Sequence, residues 1–90
     1  MTRKIANASK EFQKRIGDVL QQYTEKTATF EDTTQNITTL YLDFAAMLTN
    51  MLDYDLISIE DYAEASNRAD SDRGLALMIA CDTYTRRRTA

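Results

Sequence analysis

The sequence predicts an all-α fold, a compact three- or four-helix bundle that self-associates. Apolar residues recur at helical spacing along most of the chain, no segment alternates with the period of a strand, and the 90 residues include two Gly and no Pro. A chain of this length removes roughly 60 to 65% of its unfolded surface from water, enough for one marginal core. We therefore expect a single domain over residues 1–90, which oligomerisation would stabilise further.

The first predicted helix spans residues 3–26. At 100° per residue its apolar positions form one stripe, and charged residues such as Lys10 and Lys14 point away from it. The stripe consists of Ile5, Ala8, Phe12, Ile16, Val19, Leu20 and Tyr23. Gly17 lies inside this helix, where it costs roughly 1 kcal/mol relative to Ala and is typical of a close approach by another backbone.

The second predicted helix spans residues 30–53, and either Thr29 with Asp32 or Asp32 with Gln35 has the spacing of a capping box at its start. Its apolar face centres on Ile37, Tyr41, Phe44, Leu48 and Met51. Its opposite side carries Thr38, Thr39, Leu42, Ala46 and Thr49, which are all uncharged. A helix without a charged face is central in a bundle or lies at a subunit interface, and the sequence leaves both open.

The third predicted helix spans residues 59–70. Ser58 has the position of its N-cap and would accept a hydrogen bond from the backbone N–H of Asp61, while Ile57 and Tyr62 have the spacing of a hydrophobic staple. The alanines of this segment indicate close packing of one helix against another.

A fourth predicted helix spans residues 72–86, with Ser71 as its N-cap. The run 67–72 predicts the break, because it is rich in residues whose side chains compete for backbone hydrogen bonds. Apolar positions keep helical phase from Ile59 to Tyr84, so one continuous helix is the alternative.

The last helical segment is apolar on two sides, with Leu75, Met78 and Ile79 on one side. One side is expected in the core and the other at an interface, and Cys81 is expected to be a buried small hydrophobe. We assign self-association to Leu42, Ala46, Leu77, Cys81 and Tyr84.

Charge is segregated along the chain. Residues 1–30 hold six basic and three acidic side chains, residues 31–72 one basic and ten acidic, and residues 73–90 four basic and one acidic. The pattern either aligns oppositely charged helices or presents an acidic centre to a basic partner protein. The residues predicted to bind that partner are Tyr54, Asp55, Glu60, Asp61, Tyr62 and Glu64.

Several chemistries are disfavoured by composition. The chain has no His and a single Cys, so zinc sites, haem ligation and His-based catalysis are not expected. The spacing of Asp53, Asp55, Asp61 and Glu64 is similar to that of a calcium loop, but Ser58 replaces the glycine of its sharp turn. A magnesium-dependent hydrolase would need a second acidic helix beside the one that carries its candidate ligands Asp61, Glu64, Asp70 and Asp72. We predict no enzyme activity, no metal and no cofactor, and we expect Asp82 to pair with Arg15.

Neither nucleic acid nor membrane is an expected partner. Arg86, Arg87 and Arg88 supply few phosphate contacts, and the acidic centre repels a nucleic-acid backbone. The most apolar stretch, residues 37–52, is shorter than the roughly 20 residues of a membrane span. The first fifteen residues lack the apolar run of a signal peptide, so a cytoplasmic location is expected.

The leading functional hypothesis is a small acidic protein-interaction module: an adaptor, regulator or inhibitor, of the kind that phages and plasmids carry, acting as a homodimer. The alternative is an accessory nucleic-acid-binding dimer that uses basic patches at both termini. A ligand site between subunits is neither supported nor excluded by the sequence.

Overall fold

The computed structural model describes residues 3–89 and is all-α. Its helices are α1 (Arg3–Thr24), α2 (Phe30–Asp53) and α3 (Ile59–Thr89), and the range 3–89 contains no strand. The all-α class and the packing of helices into a bundle are therefore confirmed, and the bundle has three helices.

The helices form an up-down-up bundle that measures 50 × 18 × 18 Å. α1 and α2 run antiparallel, with the rings of Phe12 and Phe44 stacked at 5.0 Å. α1 and α3 run parallel, because Gln13 contacts Asp72 near their middles and Arg87 contacts Tyr23 near their ends. All three pairs of helices pack against one another, so each helix has two neighbours.

The core follows the stripes predicted for α1 and α2. The buried apolar side chains are Ile5, Phe12, Ile16 and Tyr23 from α1 and Ile37, Phe44, Leu48 and Met51 from α2. Ala8, Val19, Leu20, Leu40, Tyr41, Met47 and Leu52 are partly buried at the margins. The helical period of the apolar residues was thus sufficient to identify the inward faces of these two helices.

Two of the three predicted N-caps are present, and the third, Ser71, lies inside α3 and is wrong. The Thr29 hydroxyl accepts a hydrogen bond from the backbone N–H of Asp32 at 3.0 Å, and the Ser58 hydroxyl accepts one from Asp61 at 3.1 Å. Ile57, which precedes the second cap, is buried. The two loops are therefore held at the start of the helix that follows each of them.

α1 ends at Thr24, two residues earlier than predicted. The backbone N–H groups of Lys26 and Thr27 donate to the carbonyls of Tyr23 and Gln22, and Lys26 has a φ of 63°. These bonds form a Schellman motif, in which the residue after the helix is left-handed. Glycine is the usual residue there, so the lysine gave no signal in the sequence.

The predicted break between residues 70 and 72 is wrong, because α3 is continuous over 31 residues. Tertiary contacts hold the polar segment helical: Ala69 is buried, Asp72 accepts a hydrogen bond from Gln13, and Arg73 lies over the Tyr41 ring at 4.6 Å. Such contacts outweigh the weak local preference for a break.

α3 turns its smallest side chains inward. Its buried residues are Ala65, Ala69, Ala76 and Ala80. Their spacing of four, seven and four residues follows the heptad repeat of packed helices. Because alanine is small, α1 and α2 lie close to the backbone of α3, as the alanine content indicated.

Candidate protein-interaction surfaces

The loop between α2 and α3 exposes three large apolar side chains, which we call the apolar tip. They are Tyr54, Leu56 and Ile59, with exposed fractions of 77%, 59% and 58%. Single exposed apolar residues are common on protein surfaces, but three within six residues at one end of a small bundle are typical of a binding surface.

Backbone hydrogen bonds hold the apolar tip in a defined turn. The N–H of Asp55 donates to the carbonyl of Leu52, and the N–H of Leu56 donates to the carbonyl of Met51 at 2.8 Å. Asp55 is left-handed, with a φ of 56°, as the Schellman motif requires. Buried Ile57 anchors the loop between two exposed neighbours. The tip is consequently presented by an ordered turn on a rigid bundle.

Carboxylates surround the apolar tip. Asp53, Asp55, Glu60 and Glu64 are all exposed, and residues 27–67 contain no Lys or Arg. Cations reach this end of the bundle on α1, where Arg3 begins the helix. The surface that α2 and α3 form at this end of the bundle is therefore apolar at its centre and negatively charged at its rim.

The predicted partner-binding residues occupy this region, with one exception. Tyr54, Asp55, Glu60 and Glu64 are exposed, and the backbone N–H of Asp61 is used by the Ser58 cap. Tyr62, which the sequence analysis places at the surface, is half-buried against the core. Its staple position next to Ile57 explains this placement, because a staple residue packs inward.

Sequence reasoning missed Leu56 and Ile59. Both flank the Ile57–Ser58 cap, and only Ile57 of the three apolar residues is turned inward. A run of apolar residues beside carboxylates was the available signal, but the sequence does not show which member of such a run is buried.

The residues assigned to self-association separate into two groups. Leu42 and Ala46 lie on the exposed outer side of α2, and Leu42 is 59% exposed. Leu77 packs against the core, and the ring of Tyr84 contacts that of Phe30 in a tilted arrangement, with the ring centroids 4.6 Å apart. These two side chains are already engaged within the chain.

Cys81 is exposed, so the expectation that it is buried is wrong. Its neighbours Leu77 and Tyr84 face α2, whereas the Cys81 side chain is rotated further around the helix axis and points into solvent. The apolar composition of this segment suggests burial on both sides, and only one side is covered.

The opposite side of α3 carries the unpartnered apolar residues. Leu75, Met78 and Ile79 are 57%, 66% and 44% exposed. Leu75 and Ile79 also line a shallow groove against Gly17 and Leu20 of α1. Of the two apolar sides predicted for this segment, this one is turned away from the core.

The basic residues at the end of α3 make contacts within the chain. Arg87 donates to the backbone carbonyls of Tyr23 and Thr24 at 2.8 and 3.1 Å, and its guanidinium lies 4.5 Å from the centre of the Tyr23 ring. Arg86 pairs with Asp82 at 3.1 Å. Asp82 therefore does not pair with Arg15, which bonds Glu11 instead.

Arg88 donates to the Tyr84 hydroxyl at 2.8 Å. This hydrogen bond raises the pKa of the Arg88 guanidinium, which stays charged in any case. All three arginines of the predicted basic patch thus have partners in the bundle.

A second groove lies between α1 and α2. Its volume is about 220 Å³, and Phe12, Phe44 and Met47 line its floor, with Arg15 and Asp43 at its edge. It is open to solvent, and its side chains belong to the core and its margins.

The carboxylates are dispersed along the helices. Within residues 3–89 no group of three or more His, Cys, Asp or Glu side chains is arranged to hold a metal ion. In the same range, no helix combines the length and apolar character needed to cross a membrane.

Comparisons of the chain with models of protein families, with curated proteins and with solved structures give no match. The class of protein is accordingly defined by the fold alone: an all-α bundle of three packed helices, with an apolar tip at one end.

Proposed function

We propose that this chain is a non-enzymatic protein-interaction module, an adaptor, regulator or inhibitor, that acts in the cytoplasm by binding a partner protein through the apolar tip. The single observation that carries the proposal is the exposure of Tyr54, Leu56 and Ile59 together on one ordered turn. Apolar side chains that are left in water contribute nothing to the stability of the monomer, but they gain free energy when a partner covers them.

The chemistry of the tip indicates the chemistry of the partner. Tyr and large aliphatic side chains are typical anchors that fill pockets at the centre of an interface. The rim of Asp53, Asp55, Glu60 and Glu64 attracts basic groups and speeds association with them. We therefore propose a partner surface with an apolar pocket that is bordered by Lys or Arg side chains.

Two features favour this proposal over nucleic-acid binding. Arg86, Arg87 and Arg88 each contact a group within the bundle, which lowers their availability to phosphates. The exposed apolar surface lies next to carboxylates, which a nucleic-acid backbone avoids.

The test is affinity capture from a host-cell lysate with two matched variants. The tip variant carries Tyr54→Ser and Leu56→Ser, and the control variant carries Leu42→Ser, because Leu42 is as exposed as Leu56 but lies on α2. We expect one protein to be captured in stoichiometric amount by the wild type and the control, and to be lost with the tip variant.

The captured protein is then purified and titrated with the wild type and with an Asp53→Lys, Glu60→Lys variant, which leaves the other surfaces of the bundle unchanged. Charge reversal at the rim should slow association and reduce its dependence on salt. Capture that the tip variant retains, or that nuclease treatment removes, would overturn the docking proposal.

We also propose that the chain self-associates. Leu42 and Ala46 remain available on α2, but Leu77 and Tyr84 have intramolecular partners. The larger unpartnered apolar surface is the side of α3 that carries Leu75, Met78 and Ile79, and these residues indicate how the two subunits pack.

A further inference from the structure

The outer side of α3 carries a line of five exposed residues, which we call the charge stripe. Four of its members are charged, and the fifth, at its centre, is apolar. In chain order they are Glu64, Arg68, Leu75, Asp82 and Arg86. At 100° per residue, the five positions fall within about 40° of one another around the helix, so they form one straight line along it.

The spacing of the charge stripe is symmetric about Leu75. Arg68 and Asp82 each lie seven residues from it, or about 10 Å along the axis, and Glu64 and Arg86 each lie eleven residues from it, or about 16 Å. The charges are opposite at equal distances: positive Arg68 corresponds to negative Asp82, and negative Glu64 to positive Arg86.

We infer that the charge stripe is the interface for a second copy of this chain, with the two α3 helices antiparallel and a two-fold axis at Leu75. A two-fold interface must be complementary to itself, because each residue meets the equivalent surface of the other subunit. This inference rests on the proposal that the chain self-associates, and it does not rest on the docking proposal. Glu64 is the one residue that the charge stripe shares with the rim of the apolar tip.

The antiparallel arrangement brings opposite charges together at both ends. Arg68 lies opposite the partner's Asp82, and Glu64 lies opposite the partner's Arg86. Asp82 and Arg86 already pair within one chain at 3.1 Å, so each end of the interface contains two anions and two cations in alternation. A parallel arrangement would place every charge opposite its own copy, and the repulsion would oppose it.

Apolar residues complete the centre of the interface. Leu75 faces the partner's Leu75 on the two-fold axis, and Met78 and Ile79 flank it with exposed fractions of 66% and 44%. The groove that Leu75 and Ile79 form with α1 is floored in part by Gly17 and Leu20. An added Cβ at Gly17 would meet no atom within 4 Å, so the absence of a side chain there serves no packing within the chain.

The interface also matches the length of the helix. α3 runs from residue 59 to residue 89, so its midpoint is residue 74, next to Leu75. Antiparallel pairing about Leu75 thus aligns the two α3 helices over nearly their whole length, because only residues 59 and 60 of each helix extend beyond the end of the partner helix.

The first experiment measures molar mass by sedimentation equilibrium, from about 1 µM to about 500 µM. We expect a monomer–dimer equilibrium, and we expect Leu75→Glu to weaken it at least roughly hundredfold, because two carboxylates would meet on the axis. Leu56→Glu is the matched control, since Leu56 and Leu75 are 59% and 57% exposed and Leu56 belongs to the apolar tip, and it should leave the equilibrium unchanged.

The second experiment tests orientation by charge exchange. Arg68→Glu and Asp82→Arg each leave like charges in excess at both ends of the interface, so each variant alone should associate at least roughly tenfold more weakly than the wild type. When the two variants are mixed, the glutamate introduced at position 68 of one chain lies opposite the arginine introduced at position 82 of the other chain. The remaining pair consists of Asp82 of the first chain and Arg68 of the second, and it is unchanged from the wild type. The two variants should therefore form a mixed dimer, and the double variant should recover association.

All of these positions are exposed, so the variants should keep the circular dichroism spectrum of the wild type. A protein that remains monomeric over the whole concentration range overturns the inference. So does a dimer that Leu56→Glu dissociates and Leu75→Glu does not, or two charge variants that fail to pair when mixed.

Discussion

Arg87 joins two helices that the sequence leaves far apart. Its guanidinium donates to the last carbonyls of α1 and covers the Tyr23 ring, which is itself buried. A cation at the carbonyl end of a helix interacts favourably with the helix dipole. Arg87 lies in the last turn of α3 but acts on the end of α1.

Arg87→Ala should lower the free energy of unfolding by about 1 to 2 kcal/mol, because two hydrogen bonds to a charged donor and a cation–π contact are lost. Arg86→Ala is the matched control. Its pair with Asp82 is solvent-exposed, so its loss should cost less than about 0.5 kcal/mol. Urea denaturation of the three proteins measures both values, and equal effects would contradict a special role for Arg87.

Ser9 is a buried polar residue whose hydroxyl has no hydrogen-bond partner within residues 3–89. Ser9→Ala should therefore stabilise the protein by about 1 kcal/mol, since it removes a desolvated hydroxyl and raises helix propensity. Ser71→Ala is the matched control, because this exposed position of α3 gains only the higher helix propensity of alanine and buries no hydroxyl. The midpoint of urea unfolding is measured for both variants, and the difference between the two shifts reports the effect of the buried hydroxyl alone. No difference is expected if the Ser9 hydroxyl is solvated.

Lys26 adopts a left-handed conformation, which costs a residue with a Cβ roughly 1 kcal/mol or more. Lys26→Gly should therefore raise the free energy of unfolding by about 0.5 to 1 kcal/mol. The same change inside α1, Lys10→Gly, should lower it by about 1 kcal/mol. Thermal unfolding measures both changes in stability. Changes of opposite sign support the Schellman motif, and changes of the same sign argue against it.

At the scale of elements, α3 is the helix that sequence reasoning described least well. The start at Ser58 was predictable, because a cap is a local signal. The helical phase left a continuous helix through residues 67–72 open as an alternative, but whether the helix continues or breaks there was not predictable, because it depends on contacts with α1 and α2. The side of α3 that faces inward was equally unpredictable, since both sides are apolar.

The inward alanines give a direct test of how closely the helices pack. Ala80 is fully buried, so Ala80→Leu should cost about 1 to 3 kcal/mol through overpacking. Ala63→Leu adds the same atoms at an exposed position of α3 and should change the stability by less than about 0.5 kcal/mol. Equal tolerance of both changes in denaturant titrations would mean that α3 lies further from its neighbours than the structure places it.

For the whole molecule, the apolar tip and the charge stripe are separate surfaces of one rigid bundle. Ile59 and Leu75 are sixteen residues apart on α3, or about 24 Å. In an antiparallel dimer the two tips would therefore lie at opposite ends, about 48 Å apart. Such a dimer would bind two partner molecules, or two sites of one partner, with the gain in avidity that two linked sites provide.

Dimerisation predicts that thermal stability depends on protein concentration. The midpoint of thermal unfolding should rise as the concentration of the wild type increases, because association stabilises the folded state. The dependence should disappear in Leu75→Glu and persist in the tip variant Tyr54→Ser, Leu56→Ser. A tip variant that loses it would show that the two surfaces are not independent.

Local signals were enough to predict the all-α class, the inward faces of α1 and α2 and the N-caps Thr29 and Ser58, because each depends on helical periodicity or on residues within one helical turn. The packing of the three helices fixes the continuity of α3, the inward side of α3, the exposure of Leu56, Ile59 and Cys81, and the use of Arg87 on α1. Each of these is a choice between side chains of similar character, and only the packing of neighbouring helices resolves such a choice.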